Sequence, residues 1–118
     1  MNMYHIWCDL KPGVSDRRFA EAIDRYLGHL QESDKLSDFR LTRRKLGLAS
    51  AELGEFHITL EFQDLAQLDL AFDEVSTRSE PVESLHQAVN SLATNLRFAL
   101  YRDFPDPNRV AGEEKFRT

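Results

Sequence analysis

Strict alternation of apolar and polar residues is the feature that most constrains the fold of this chain. It is clearest in the segment GEFHITLEF at residues 54–62. Successive side chains of a β-strand point to opposite faces of a sheet, so this segment predicts a strand with one buried face and one face turned to water or to a partner. The apolar side carries Phe56, Ile58, Leu60 and Phe62, and the polar side carries His57, Thr59 and Glu61.

Three further segments alternate in the same way and bring the number of predicted strands to four: residues 3–10, 37–46 and 95–102. Apolar residues at three- and four-residue steps predict a helix over about 16–32, with Ser15 as its N-cap. The pair Asp64 and Gln67 has the spacing of a capping box and predicts the start of a second helix. Pro81 suits the first turn of a third helical segment.

The order of these elements is typical of the ferredoxin-like fold, an α+β arrangement written β-α-β-β-α-(α)-β. It predicts an antiparallel sheet with strand order 4-1-3-2 and with the helices on one face. We expect the apolar side of every strand to meet the helices, with Phe19, Tyr26 and Phe72 in the core. A length of 118 residues fits one domain. We assign residues 1–104 to that domain and residues 105–118 to a polar C-terminal tail.

The other face of the predicted sheet is too charged for a dry core, yet it includes an indole and a phenol that gain little from open water. Its members are His5, Trp7, Asp9, Arg40, Thr42, Arg44, His57, Thr59, Glu61, Arg97, Ala99 and Tyr101. A face of this mixed composition favours contact with a second molecule over free exposure.

The two-sided strands YHIWCDL, GEFHITLEF and LRFALYR, together with the element order, resemble the dimeric α/β-barrel group. In this group of ferredoxin-like domains, two sheets face each other in a shared barrel. The group includes cofactor-free monooxygenases, lactone isomerases, haem-dependent enzymes and members of unknown activity, and this chain is most similar to an uncharacterised bacterial member. The resemblance covers residues 3–104. It implies a homodimer with a sheet-lined cavity, but no family's catalytic residues carry over to this sequence.

Matching the lengths of the strands and hairpin predicts which polar residues are neighbours. One row places His5 beside Glu61, with Arg40 and Tyr101 at its flanks. A second row contains Arg44, His57, Asp9 and Arg97, and a middle layer contains Trp7, Thr42, Thr59 and Ala99. A shift of two residues in register would keep every side chain on its face but change these neighbours.

These residue types suit proton transfer on a small acidic or phenolic molecule. His5 or His57 is the candidate base, and Glu61 or Asp9 would orient its ring. Arg40, Arg44 and Arg97 would bind the ligand and stabilise its developing negative charge. Trp7, Thr59 and Tyr101 are the other candidates for ligand contact. An enzyme of this kind would have cofactor-free monooxygenase-like or isomerase-like activity. The alternative is a non-catalytic structural or regulatory dimer whose polar face serves assembly.

Charge and histidine placement argue against other classes of function. A net charge of −5 provides no basic field for nucleic acid, so we expect no nucleic-acid partner. The predicted register separates His5 from His57, so one metal ion would not reach both, and we expect neither a metal nor haem or another cofactor. His29 and His86 lie at the edges of helical apolar stripes, where we expect them to face solvent.

The remaining signals concern location. The segment MNMYHIWCDL lacks the features of a signal peptide or a membrane span, and the single cysteine, Cys8, reads as a small core residue. We therefore expect a cytoplasmic protein without membrane contact.

Overall fold

One antiparallel sheet of four strands organises the protein, with strand order β2-β3-β1-β4. The computed structural model of the protein describes residues 1–105. The elements are β1 (Asn2–Leu10), α1 (Asp16–Glu32), β2 (Asp38–Arg43), β3 (Phe56–Phe62), α2 (Leu65–Ser76), α3 (Val82–Asn90) and β4 (Ala93–Arg102). The predicted α+β class and sheet order are confirmed. The predicted tail lies outside the described residues except for Pro105.

The two longer helices begin where the sequence predicted, because side-chain oxygens accept from their first free amides. Ser15 accepts a hydrogen bond from the backbone amide of Arg18 at 3.1 Å, and Asp64 accepts one from the amide of Gln67 at 2.8 Å. The Gln67 side chain accepts from the amide of Gln63, the residue before the N-cap, at 2.7 Å. These caps set the direction in which α1 and α2 cross the sheet.

The core lies between the helices and the apolar side of the sheet. Burial along β3 alternates residue by residue, so that Phe56, Ile58, Leu60 and Phe62 are buried while the intervening residues are half-buried. Phe19 of α1 lies edge-on to Phe56, with 5.3 Å between the ring centroids. Each large apolar side chain removed from water in this way stabilises the fold by about 1.5–3 kcal/mol.

The apolar side of β4 does not follow the prediction that helices cover every strand. Leu96 is 37 % exposed, Phe98 56 % and Leu100 52 %, and Phe72 of α2, predicted to be a core residue, is 45 % exposed. β4 is an edge strand, and Ala93 at its start is the residue that it contributes to the buried core. An apolar strip therefore remains open along this edge.

Two local features shape the pairing of β1 with its neighbouring strands. The pairing of β1 with β4 shifts by a residue between Trp7 and Asp9, which is a β-bulge. Gly54, just before β3, packs so closely on the β1 backbone that a Cβ at this position would collide with the carbonyl oxygen of Cys8. Only glycine permits this approach, so the two strands are held in one register.

Candidate functional site

The predicted polar face exists, and it lies opposite the helices. His5 and Trp7 on β1 share it with His57 and Thr59 on β3, while Ile58 between the last two is buried in the core. Arg40 of β2 lies beside Thr59, and Arg97 of β4 lies beside Trp7, so residues of all four strands contribute to the face. The period-two pattern thus assigned each side chain to its face.

The predicted neighbours on this face are wrong, because every strand pair is offset by two residues from the prediction. Glu61 pairs with Met3, not with His5, and His5 pairs with Thr59. His57 pairs with Trp7, whereas the prediction placed it in a row with Asp9. Alternation decides the face but not a slip of two residues, and the close contact at Gly54 supplies the missing constraint.

The observed register brings the two histidines together. His5 Nδ1 and His57 Nε2 are 2.9 Å apart, a hydrogen-bond distance, and Thr59 Oγ1 lies 3.4 Å from the same His57 nitrogen. The expectation that one metal ion could not reach both rings because they were far apart is therefore wrong. Within residues 1–105, however, no group of three or more His, Cys, Asp or Glu side chains is placed to hold a metal ion.

Aromatic rings pack around the histidine pair. Trp7 stacks on His57 with 4.7 Å between centroids and 4° between planes, and the hydrogen-bonded rings of His57 and His5 are nearly parallel, with 5.1 Å between centroids and 15° between planes. Tyr101 meets His5 edge-on at 5.2 Å and is itself 61 % exposed. We refer to His5, Trp7, His57 and Tyr101 as the imidazole–indole cluster. It places the hydrogen-bonded nitrogens of His5 and His57 among aromatic rings.

Both imidazoles are disposed to stay neutral. Burial lowers the pKa of His5, and burial followed by the charge of His5 lowers the pKa of His57. A hydrogen bond between two imidazoles needs one donor and one acceptor nitrogen, and only a neutral ring has the acceptor. The pair therefore disfavours double protonation for two reasons, desolvation and mutual repulsion.

The predicted carboxylate partners lie elsewhere on the face. Within residues 1–105 no carboxylate bonds to either histidine, and Glu61 lies in the row of Met3 and Tyr101, next to the row of His5. In the same described part of the chain, Arg40 and Arg97 form no ion pair. The cluster is thus flanked by two cationic groups that form no ion pair with the rest of residues 1–105.

Asp9 and Arg44 lie at the far end of the face, past the row of Trp7. Asp9 accepts hydrogen bonds from the backbone amide of Glu55 at 2.9 Å and from Nδ2 of Asn95 at 3.1 Å. These bonds, in that order, and the nearby charge of Arg44 hold the pKa of Asp9 below its usual range. Arg44 lies just after β2, where its amide donates to the Glu55 carbonyl at 2.7 Å. Here Asp9 ties strands together at the bulge.

A cavity that the sequence pattern did not predict lies on the helical side of the sheet. It has a volume of about 300 Å³ and lies between the helices and the apolar side of β1, β3 and β4. Tyr4, Tyr26, Ser76, His86 and Asn90 contribute polar groups to its largely apolar wall, and His86 was expected to face solvent. The available signal was a pair of tyrosines, Tyr4 and Tyr26, at positions whose pattern called for aliphatic residues.

The cysteine and the helices show two further features. Cys8 is a buried free thiol whose pKa rises to about 11, mainly through burial and then through the charge of Asp9, and its burial is that expected for a core residue. Among the helices of residues 1–105, none combines the length and the apolar character needed to cross a bilayer.

A four-stranded antiparallel sheet with helices on one face and polar side chains on the other defines a ferredoxin-like domain, and the fold implied by the resemblance of the strands is confirmed. More specifically, the chain belongs to DUF6614, a family of unknown function whose model matches residues 1–116. No curated protein matches the sequence.

Solved structures share this fold at low sequence identity. A dimeric ferredoxin-like protein of unknown function from Jannaschia sp. CCS1 is 15 % identical, with a TM-score of 0.64 over 87 % of this chain and 100 % of that one. SnoaB, a cofactor-independent oxygenase from Streptomyces nogalater, is 9 % identical, with a TM-score of 0.67 over 92 % and 97 %. A hydroxynitrile lyase from Passiflora edulis is 15 % identical, with a TM-score of 0.64 over 90 % and 96 %.

Proposed function

We propose that the protein is a homodimer in which the polar sheet faces of two copies meet and enclose a site for a small acidic or phenolic organic molecule. The observation that carries this proposal is the hydrogen bond between His5 and His57 inside a stack of aromatic rings. An aromatic surface of this kind on an otherwise polar face is typical of a contact surface. The dimeric description of similar folds supports the same assembly.

The histidine pair is suited to moving a proton. When His5 Nδ1 donates to His57 Nε2, the outer nitrogen of His5 is a free base and the outer nitrogen of His57 carries a proton. The opposite tautomers reverse these roles, because a neutral imidazole has one donor and one acceptor. A proton taken up at one outer nitrogen can therefore be matched by a proton released from the other. The pair would act as base and acid on one substrate.

The surroundings favour an aromatic anion as the product of that step. Trp7 and Tyr101 offer ring faces and edges for stacking. Arg40 and Arg97 lie beside the cluster without an ion partner in residues 1–105, and their charge would stabilise a phenolate or enolate. The reaction class that fits is cofactor-free proton transfer, as in an isomerisation or as the first step of a cofactor-independent oxygenation. One similar fold is described as a cofactor-independent oxygenase.

A second candidate is a non-catalytic dimer in which the polar face serves assembly alone. The observation that favours it is the placement of Asp38 and Glu61 on the same face as Arg40 and Arg97, with no ion pair among them in the described part of the chain. Cross-interface pairing would satisfy both signs of charge. In that case the histidine pair stabilises the interface and binds nothing.

The first test is the mass of the full chain by light scattering coupled to size exclusion. We expect twice the chain mass of 13.7 kDa. A monomer at every accessible concentration would remove the enclosed site and with it both candidates.

The second test measures phenol binding by calorimetry, with 4-hydroxybenzoate and 2-naphthol as probes. His57→Gln keeps a polar side chain but cannot titrate, and His29→Gln, on α1, is its matched control. We expect the control to bind like wild type and His57→Gln to bind at least about tenfold more weakly. Equal binding by both variants would contradict the site. If neither probe binds the wild-type dimer, the assembly role replaces the ligand site.

A further inference from the structure

We infer that the two copies of the proposed homodimer cross with their strands nearly perpendicular, so that Arg97 of each copy meets Asp38 and Glu61 of the partner subunit. This inference rests on the proposed function, because it takes the polar sheet faces to be the interface. It goes further by assigning the axis that relates the two copies and the residues that face each other. Its basis is the distribution of charge over the polar face.

The register of the four strands arranges the polar face as a grid of three rows. The strands follow one another across the grid in the order β2, β3, β1 and β4. Neighbouring strands are about 4.8 Å apart, and alternate residues along a strand are about 6.7 Å apart, so the grid is close to a square with sides of about 14 Å. In strand order, the rows are Asp38, Glu61, Met3 and Tyr101; then Arg40, Thr59, His5 and Ala99; then Thr42, His57, Trp7 and Arg97.

Opposite charges lie at opposite corners of this square. Asp38 occupies one corner with Glu61 beside it, and Arg97 occupies the corner diagonally across. Asp38 and Arg97 are exposed, and within residues 1–105 none of the three side chains forms an ion pair. The two corners are about 20 Å apart, too far for these charges to pair within one copy. A second copy can bring them together.

A square has four axes in its plane that turn it onto itself, and each describes one way in which two identical faces can meet. An axis parallel to the strands places Arg97 opposite Thr42 of the partner subunit, which carries no charge. An axis across the strands places Arg40 opposite Arg40 of the partner subunit. An axis along the diagonal from Asp38 to Arg97 places like charges together at both corners. These three arrangements leave the corner charges unpaired.

The fourth axis runs along the other diagonal, from Thr42 to Tyr101, and exchanges the acidic and basic corners. Arg97 then faces Asp38 of the partner subunit, with Glu61 of the partner subunit beside it, and the same contact recurs at the opposite corner. This axis turns the strands of one sheet at right angles to those of the other, one of two arrangements in which sheets pack face to face. Opposite charges across an interface fix its register and disfavour the alternatives.

The same rotation brings an arginine of one copy to the imidazole–indole cluster of the other. Arg40 of the partner subunit reaches the third row between His57 and Trp7, whose stacked rings have 4.7 Å between centroids. No carboxylate of the grid faces it there. Its charge is therefore available to an anion bound at the cluster, whereas Arg97 is engaged by two carboxylates. The cluster and the arginine that serves it come from different copies.

Cross-linking of introduced cysteines measures the axis. A residue on the axis faces itself in the other copy, so Thr42→Cys and Tyr101→Cys should each give a covalent dimer with a short bismaleimide that reaches across the gap of about 10 Å between facing sheets. Asp38→Cys should give none, whereas the double variant Asp38→Cys/Arg97→Cys should be linked. The wild-type chain is the control, because its single thiol at Cys8 is fully buried.

Each of the other axes has its own pattern of links. A covalent dimer of Asp38→Cys alone indicates the diagonal that joins like charges, and one of Arg40→Cys alone indicates the axis across the strands. A link in Asp38→Cys/Tyr101→Cys, with none in the single variants, indicates the axis parallel to the strands. Any of these patterns overturns the inference and leaves the homodimer in place. A monomeric wild-type protein overturns the homodimer itself.

Exchange of charge tests the ion pairs. Arg97→Glu places three carboxylates at each corner, and Asp38→Arg/Glu61→Arg places three guanidinium groups there, so each should raise the dimer dissociation constant at least about thirtyfold. A mixed dimer of the two variants has opposite charges at both corners and should form within about threefold of the wild-type constant. Arg25→Glu, at an exposed position of α1, should dimerise like wild type. A mixture that dimerises no better than its components would contradict the ion pairs.

Discussion

Neighbouring residues of β3 meet two different surroundings. Ile58 and Leu60 are buried against the helices, while His57 and Thr59, one step along the same strand, lie half-buried on a face without helices. The helical face is defined by this chain's own side chains, except along β4, where it stays open. The polar face is defined by contacts among its rings and by charges that form no ion pair in the described part of the chain. On each face, therefore, some side chains are packed against other residues of this chain and others remain available for contact with another molecule.

The largest expected effect is the difference in stability loss between a buried and an exposed phenylalanine of the helical face. Phe62→Ala removes a fully buried ring and should lower the free energy of unfolding by about 4 kcal/mol. Phe98→Ala removes a ring that is 56 % exposed and should cost less than about 1.5 kcal/mol. Urea denaturation of both variants measures the difference. Equal losses would mean that β4 is covered in solution.

A second prediction concerns the register on which the polar face depends. Gly54→Ala forces a Cβ against the Cys8 backbone and should destabilise the protein by about 2–3 kcal/mol. Gly28→Ala is the matched control, because a Cβ there meets no atom within 4 Å and alanine favours the helix. That variant should be more stable by about 0.5–1 kcal/mol. If neither substitution changed the stability, the strand register would have another origin.

A third prediction assigns dimerisation to one face. Trp7→Ala removes the ring that stacks on His57 and should raise the dimer dissociation constant by about 30-fold, the effect of losing an interface hot spot. Phe72→Ala removes a partly exposed aromatic ring from the opposite face and should leave this constant unchanged. Sedimentation equilibrium over a dilution series compares the two. The reverse result would place the interface on the helical side.

The smallest expected effect is a pH dependence from the histidine pair. The folded state lowers the pKa of both His5 and His57 from 6.5, so the unfolded chain binds more protons in mildly acidic solution. This contribution to stability is complete above about pH 6.5 and is lost as pH falls through the lowered folded values.

Denaturation at pH 7 and pH 5 measures that loss. His5→Gln should reduce the difference between the two conditions, whereas His29→Gln should not. A protein whose histidine-dependent stability increased on acidification would contradict the sign of this prediction.

The sequence predicted the fold because its signals are local. The N-caps Ser15 and Asp64 and the period-two strands each act over a few residues, and together they determine element order and the face of each side chain. Register depends on contacts between distant segments. No pattern within the strands shows that Gly54 must lie on Cys8 or that Asp9 accepts from Glu55.

The same distinction applies to the candidate sites. The imidazole–indole cluster was found as a set of residues, but its central contact, His5 with His57, required the register. The sequence predicted a filled core at the site of the cavity beside Tyr4 and Tyr26. A stripe of apolar residues does not show whether the helices pack against the sheet without a gap. Closure depends on the width of the helical layer relative to the sheet, a property of the assembled domain.

The space beneath the helices has a mechanical consequence. Hydrostatic pressure favours states of smaller volume, and unfolding eliminates internal voids. The domain should therefore be softer under compression than a fully packed one of the same length, and its first response should be a collapse of the layer that carries Tyr26 onto the strands. A ligand bound tightly in the cavity would make the domain less compressible.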